Sequence, residues 1–97
     1  MSMTIRYSDH LRVRITMRGI PENMPRIVFS RAERKFYDTA TGLHIALSRM
    51  RYFGKLRDLA VTYREEDGDI LLITIHPLKA GQLENRLRSG RWKLIQV

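Results

Sequence analysis

The chain contains no cysteine, which excludes disulfide bonds and thiolate metal ligands. Its three histidines are far apart, and neither a His-Glu-x-x-His motif nor a spaced group of carboxylates is present. A glycine-rich phosphate loop and the Gly-x-Ser-x-Gly motif of serine hydrolases are also absent. We therefore expect no metal and no cofactor.

Long apolar runs are missing as well. No stretch approaches the roughly 20 apolar residues that span a bilayer. The N-terminal residues "MSMTIRYSDH" lack the apolar core of a signal peptide, which favours a cytoplasmic protein. The 97 residues are 43% hydrophobic and contain no repeat and no linker-like segment, so residues 1–97 are predicted to form a single domain.

Acidic residues are scarce. The chain has 10 of them against 18 basic residues, for a formal charge of +8, and arginine accounts for 14 of the 18. Four of the ten acids fall within residues 65–69, so the rest of the surface is more basic than the average. This balance favours a polyanion or an acidic protein as the partner.

Two N-terminal segments are candidate helices. In "SDHLRVRITMRGIP", residues 8–21, apolar residues alternate as in a strand, yet Ser8 or Asp9 can cap a helix start and Gly19 can end one. Periodicity alone slightly favours the strand. Residues 22–35 are predicted more clearly as a helix, because Met24, Ile27, Val28 and Ala32 share one arc and Pro25 is tolerated in the first turn.

The middle of the chain shows strand signals separated by turn residues: "KFYD", "LHIALSRMRYF", "LRDLAVTY" and "ILLITIH". Asp67-Gly68 is a strong hairpin signal, and a tight turn is predicted at Gly54-Lys55. "ILLITI" predicts a strand buried on both faces in the middle of the sheet, with helices on one side. The sequence therefore predicts an α+β fold, an antiparallel meander of three to four strands with N-terminal helices and a short C-terminal helix.

That C-terminal helix is predicted over residues 78–89, with Leu83 and Leu87 as its packing stripe and Gly90 as its stop. Glu84 and Arg88 are predicted to pair on one flank. The opposite flank carries no acid, as a phosphate-binding surface requires, and consists of Lys79, Gln82 and Arg86.

His76 ends the last predicted strand, and a histidine can transfer protons near neutral pH. Metal-independent RNA cleavage needs a base for the 2′-hydroxyl, cations for the phosphorane and an acid for the leaving oxygen. Suitable groups are His76, Lys79, Gln82, Arg86 and Arg88. The alternative is a structural histidine at a strand end.

A second basic cluster is predicted at one end of the sheet, where Arg49 and Arg51 continue a strand face and Lys55 and Arg57 follow the turn. Arginines mixed with aromatic residues are typical of surfaces that bind single-stranded RNA. The candidate nucleic-acid-binding residues are Arg49, Arg51, Lys55, Arg57, Gln82, Arg91 and Trp92, with Tyr52 as a further stacking platform. The alternative is a solvated sheet edge that discourages aggregation.

On a helix, His10, Arg14 and Arg18 would line one face, either as a second cationic stripe or as an ordinary solvated side. His44 has no evident partner, so no role is assigned to it.

The segment "HLRVRITMRGIP" resembles the start "H-A-x-x-R-M-x-x-R-G-I" of a family of small prokaryotic domains of unknown function, with matches at His10, Arg14, Arg18, Gly19 and Ile20. "FYDTATGLHIAL" and "LAVTYREEDGDILLITIHP" are similar to the same family and, more distantly, to BrnT-like and RelE-like toxins of toxin–antitoxin pairs. Leu11 stands where the family usually has alanine, which is a packing change. The first segment of those toxins is helical, and this favours a helix over residues 9–18.

The resemblance implies a messenger-RNA endonuclease, either ribosome-dependent or free, that is silenced by an acidic or disordered antitoxin. It carries over the strand-end position of His76 and the basic residues Lys79, Arg86 and Arg88. Two other readings stay open: a non-catalytic nucleic-acid-binding module, and a subunit that docks an acidic protein through its basic face.

Overall fold

The computed structural model describes residues 4–96. Three helices are present in this part of the chain: α1 (Asp9–Arg18), α2 (Met24–Arg31) and α3 (Gln82–Arg88). Six strands accompany them: β1 (Ile5–Tyr7), β2 (Arg34–Asp38), β3 (His44–Tyr52), β4 (Lys55–Glu66), β5 (Asp69–Pro77) and β6 (Trp92–Gln96).

The six strands form one sheet in the order β1-β5-β4-β3-β2-β6. β1 is parallel to β5, and every other pair is antiparallel. The predicted α+β class is confirmed. The predicted three to four antiparallel strands are wrong in detail, because the sheet is mixed and gains an edge strand at each end. β5 is also not central: β4 and β3 are the middle strands.

α1 confirms the helix that the resemblance favoured. The Ser8 hydroxyl accepts a hydrogen bond from the Leu11 backbone N–H at 3.0 Å, and Gly19 ends the helix with a φ of 65°. Leu11 and Ile15 are buried, whereas Val13 and Met17 are 57% and 80% exposed. The alternating apolar residues therefore belong to two different sides of a helix.

α2 is shorter than its predicted span of residues 22–35. It ends at Arg31, because Ala32 adopts an extended ψ of 122° and β2 begins two residues after Ala32. Lys35 and Phe36 are then in register with Ala46 and Ile45 of β3. Residues that the predicted helix included therefore belong to β2, because they pair with β3 in the sheet.

Both hairpin turns of the meander use residues with positive φ. Asp67 and Gly68 have φ values of 54° and 82°, which confirms the predicted two-residue hairpin. The turn between β3 and β4 is formed by Phe53 and Gly54, with φ values of 50° and 84°, one residue earlier than predicted.

The sheet has a hydrophobic core on each face. α1 and α2 cover one face, where Leu11, Val28, Ala46 and Val61 belong to one buried cluster. Leu83 of α3 packs against the other cluster, which consists of Phe36, Ile45, Leu47, Ala60, Leu78 and Trp92. Neighbouring residues of a strand point to opposite faces, so the two clusters lie on opposite sides of the sheet. α3 therefore packs on the face that α1 and α2 do not cover, and the prediction that all helices pack on one side is wrong. Within residues 4–96, no helix is long and apolar enough to cross a membrane.

Candidate functional site

His76 lies in the half of β5 that β1 does not cover. β1 pairs only with Ile70–Leu72. The chain then turns into α1 through Ser8, whose backbone N–H donates to Leu72 O at 2.9 Å and whose hydroxyl donates to Ile73 O at 3.2 Å. α1 therefore begins beside the second half of β5. On the other side of β5, His76 is in register with Ala60.

Two arginines from different helices act on His76. The side chain is half-buried, and burial is the main reason why its pKa is held below the usual 6.5. The guanidinium charges of Arg14 from α1 and Arg86 from α3 lower this pKa further. The imidazole is therefore neutral at neutral pH, and it can accept a proton.

Arg86, which the sequence placed on a flank beside the leucine stripe, is half-buried in the structure. Its Nε atom is buried and has no hydrogen-bond partner among the described residues. Leu83 packs against the core, which confirms its predicted role, but Leu87 is 41% exposed, so the Leu87 part of the predicted stripe is wrong. Neither Arg14 nor Arg86 takes part in an ion pair of the described residues.

The turn into α3 contains two further residues of the predicted site, Lys79 and Gln82. Gln82 Oε1 accepts a hydrogen bond from the Lys79 backbone N–H at 2.9 Å, so Gln82 has a structural role in the turn. Lys79 and Arg88 are exposed. The predicted pair between Glu84 and Arg88 is not among the ion pairs of residues 4–96.

Trp92 and Arg91 belong to the scaffold. Trp92 is 3% exposed and packs on Phe36, with ring centroids 5.6 Å apart. Arg91 Nε and Nη2 donate to Asp38 Oδ1 and Oδ2 at 3.2 Å and 3.3 Å. Burial alone would raise the pKa of Asp38, but the hydrogen bonds from Arg91 and from the Ala40 backbone outweigh it and lower that pKa. We therefore remove both Trp92 and Arg91 from the candidate binding surface.

The four basic residues of the β3–β4 hairpin do not form one cluster. Arg49 and Arg51 are in register with Asp58 and Leu56, whereas Arg57 and Lys55 are in register with Met50 and Tyr52. Alternation places the two pairs on opposite faces. Three of the four have internal partners: Arg49 pairs with Asp58 at 3.2 Å, and Arg51 and Arg57 donate to the backbone oxygens of Gly54 and Leu78. Tyr52 is half-buried and packs against the core that α1 and α2 cover.

Sequence reasoning missed the link between Arg14 and His76. His10, Arg14 and Arg18 do line the outer surface of α1, together with Val13 and Met17, around a shallow hollow of about 260 Å³. The helical spacing signalled this stripe. Its nearness to His76 depends on β1, which the sequence did not reveal.

His44 also gains a structural context. Its ring stacks on Tyr63 at 5.5 Å with an interplanar angle of 28°, on the sheet face opposite to that of Ala60 and His76.

No group of three or more histidine, cysteine or acidic residues that could hold a metal ion is present within residues 4–96. Comparison of the chain with protein-family models, curated proteins and solved structures finds no match. The resemblance to BrnT-like and RelE-like toxins stays a prediction.

Proposed function

We propose that this protein is a small RNA-binding, toxin-like endoribonuclease that cleaves without a metal ion. The observation that carries the proposal is the half-buried His76, which burial and the charges of Arg14 and Arg86 keep neutral. A neutral imidazole whose pKa two nearby cationic charges help to lower combines a proton acceptor with groups that bind phosphate.

In the proposed reaction, His76 accepts the proton of a ribose 2′-hydroxyl as the 2′-oxygen attacks the adjacent phosphorus. The bond from phosphorus to the 5′-oxygen breaks, which leaves a 2′,3′-cyclic phosphate and a 5′-hydroxyl. Arg14 and Arg86 stabilise the negative charge that grows on the non-bridging oxygens. We assign the proton received by the leaving oxygen to Lys79, and a further phosphate contact to the exposed Arg88.

The test is single-turnover cleavage of a labelled single-stranded RNA in the presence of a chelator. Loss of a general base costs roughly 100-fold or more, so we expect that decrease for His76→Ala with little change in RNA affinity. His44→Ala is the matched control, because His44 is also half-buried but lies on the opposite face. Cleavage by His76→Ala at the rate of the wild type would refute the catalytic role.

An acidic partner protein, the equivalent of an antitoxin, is part of the proposal. Val13 and Met17 are exposed apolar residues on α1, and His10, Arg14 and Arg18 surround them. An acidic amphipathic helix complements such a surface. Docking there would cover Arg14 and so silence the site, and we place this regulation in the cytoplasm.

A non-catalytic RNA-binding module is the second candidate. It uses the same two arginines, with His76 as a structural residue beside them. Wild-type protein that binds RNA in a salt-dependent way without cleaving it would support this module and contradict the endoribonuclease.

A further inference from the structure

A cationic groove, separate from the hollow beside Arg14, lies between β1, α1 and the start of α2. It has a volume of about 430 Å³ and is lined by Tyr7, Arg12, Glu22, Asn23 and Arg26, among others. Arg12 and Arg14 are two positions apart on α1, which is a rotation of about 200° around the helix. The groove is therefore on the side of α1 away from His76, and the proposed cleavage site does not use it.

Both arginines of this groove lie over the aromatic ring of Tyr7. The guanidinium carbons of Arg12 and Arg26 lie 5.9 Å and 5.5 Å from the centre of the Tyr7 ring. The Tyr7 hydroxyl donates to Glu22 O at 2.7 Å and accepts from the Arg26 backbone N–H at 3.2 Å, which fixes the ring between β1 and α2. Two guanidinium groups are thus positioned around one anchored ring before any ligand binds.

Among the described residues, the two arginines of the groove are not held in ion pairs, although Glu22 lines the same groove. Neither Arg12 nor Arg26 belongs to an ion pair of residues 4–96. Arg6, which also lines the groove, is engaged with Glu66 and Asp69 at 3.7 Å and 3.4 Å. Planar guanidinium groups bind phosphate oxygens in pairs, and ordering them in advance lowers the entropic cost of binding.

We propose that the Tyr7 groove is an anion site that binds phosphate groups through Arg12 and Arg26. We assign these phosphates to the RNA strand that His76 cleaves. A helix with its side chains is about 10–12 Å across, so a strand of a few nucleotides that crosses α1 reaches Arg12 on one side and Arg14 on the other. Only the choice of RNA rests on the proposed function; the anion site does not.

The first arm of the test uses inorganic diphosphate and no RNA. Titration followed by amide NMR should shift the backbone signals of Tyr7 and Arg26 in a saturable way. Arg12→Gln combined with Arg26→Gln should abolish these shifts. The control, Arg31→Gln combined with Arg34→Gln, removes the same charge from two exposed arginines outside the groove and should keep the shifts. Glu22→Gln should tighten diphosphate binding, since it removes the acidic residue that lines the groove.

The second arm measures the affinity for single-stranded RNA by fluorescence anisotropy at several salt concentrations. The slope of log K against log salt decreases by about 0.7 for each phosphate that the protein no longer neutralises, so we expect a decrease of about 1.4 for the groove variant. Equal slopes in the groove and control variants would overturn RNA as the source, and saturable diphosphate shifts would then support a small phosphorylated ligand. Absence of the diphosphate shifts in the wild type would overturn the anion site itself, whether or not His76 cleaves RNA.

Discussion

Replacement of Trp92 with alanine should destabilise the fold strongly, even though its sequence context suggested a ligand-binding role. Trp92 is 3% exposed and belongs to the cluster of Phe36, Ile45 and Leu47 that α3 covers through Leu83. A buried aromatic side chain removes about 150–250 Å² from water, which corresponds to roughly 4–6 kcal/mol at about 25 cal/mol per Å². An extended unfolded reference overstates this area, so we expect about 3–5 kcal/mol.

Urea denaturation followed by circular dichroism measures this cost. A loss of about 3 kcal/mol also lowers the melting temperature of a chain of this size by roughly 12 °C or more. Two controls accompany it. Trp92→Phe keeps most of the apolar volume and removes a buried Nε1–H that has no hydrogen-bond partner within residues 4–96, so it should cost less than about 2 kcal/mol. Leu94→Ala, in the same strand but 48% exposed, should cost less than about 1 kcal/mol.

The contrary result is a Trp92→Ala protein with wild-type stability and a greatly reduced affinity for RNA. Such a protein would mean that the indole contacts the ligand and does not stabilise β6. The packing of β6 on β2, and the removal of Trp92 from the binding surface, would then both be wrong.

Three further results are expected. Arg91→Ala should lower the free energy of unfolding in urea by about 2–3 kcal/mol. This is less than the roughly 3–5 kcal/mol of a fully buried pair, because the Arg91 side chain is 37% exposed while that of its partner Asp38 is 5% exposed. A cost near zero would contradict a stabilising ion pair between them. Arg14→Gln should raise the pKa of His76 but leave it below 6.5, because burial is the larger cause; an unchanged imidazole NMR titration would show that Arg14 is not close. The pKa of His76 is lower in the folded than in the unfolded protein, so its stabilising contribution is complete above pH 6.5 and is lost as the pH falls from there towards the folded-state pKa. His76→Gln should therefore make the free energy of unfolding less sensitive to acid in this range. An identical pH dependence of the two proteins would count against the lowered pKa.

The elements that the sequence predicted well are those with local signals. Asp67-Gly68 marks a hairpin through backbone angles that few residues adopt. Ser8 and Gly19 mark the ends of α1, but the apolar alternation between them slightly favoured a strand, and only the family resemblance favoured the helix. The two edge strands had no such signals. β1 has three residues and pairs with a strand more than sixty positions later, while β6 pairs with β2, more than fifty positions earlier.

The same limit explains the candidate site. His76 and Arg86 were predicted because both are close in sequence to the end of one strong strand. Arg14 was visible only as part of a helical stripe, since β1 and the contact of Ser8 with β5 are what bring α1 to His76. Arg91 was misread as a binding residue for a related reason: its partner Asp38 is 53 positions earlier.

The proposed role of a neutral His76 as the proton acceptor in RNA cleavage is decided by the pH dependence of the single-turnover cleavage rate in the presence of a chelator. We expect a rate that rises with pH through a pKa below 6.5 and is constant at neutral pH, and a His76→Ala protein that lacks this rise. A chelator that abolishes cleavage, or a His76→Ala profile that matches the wild type, would contradict it.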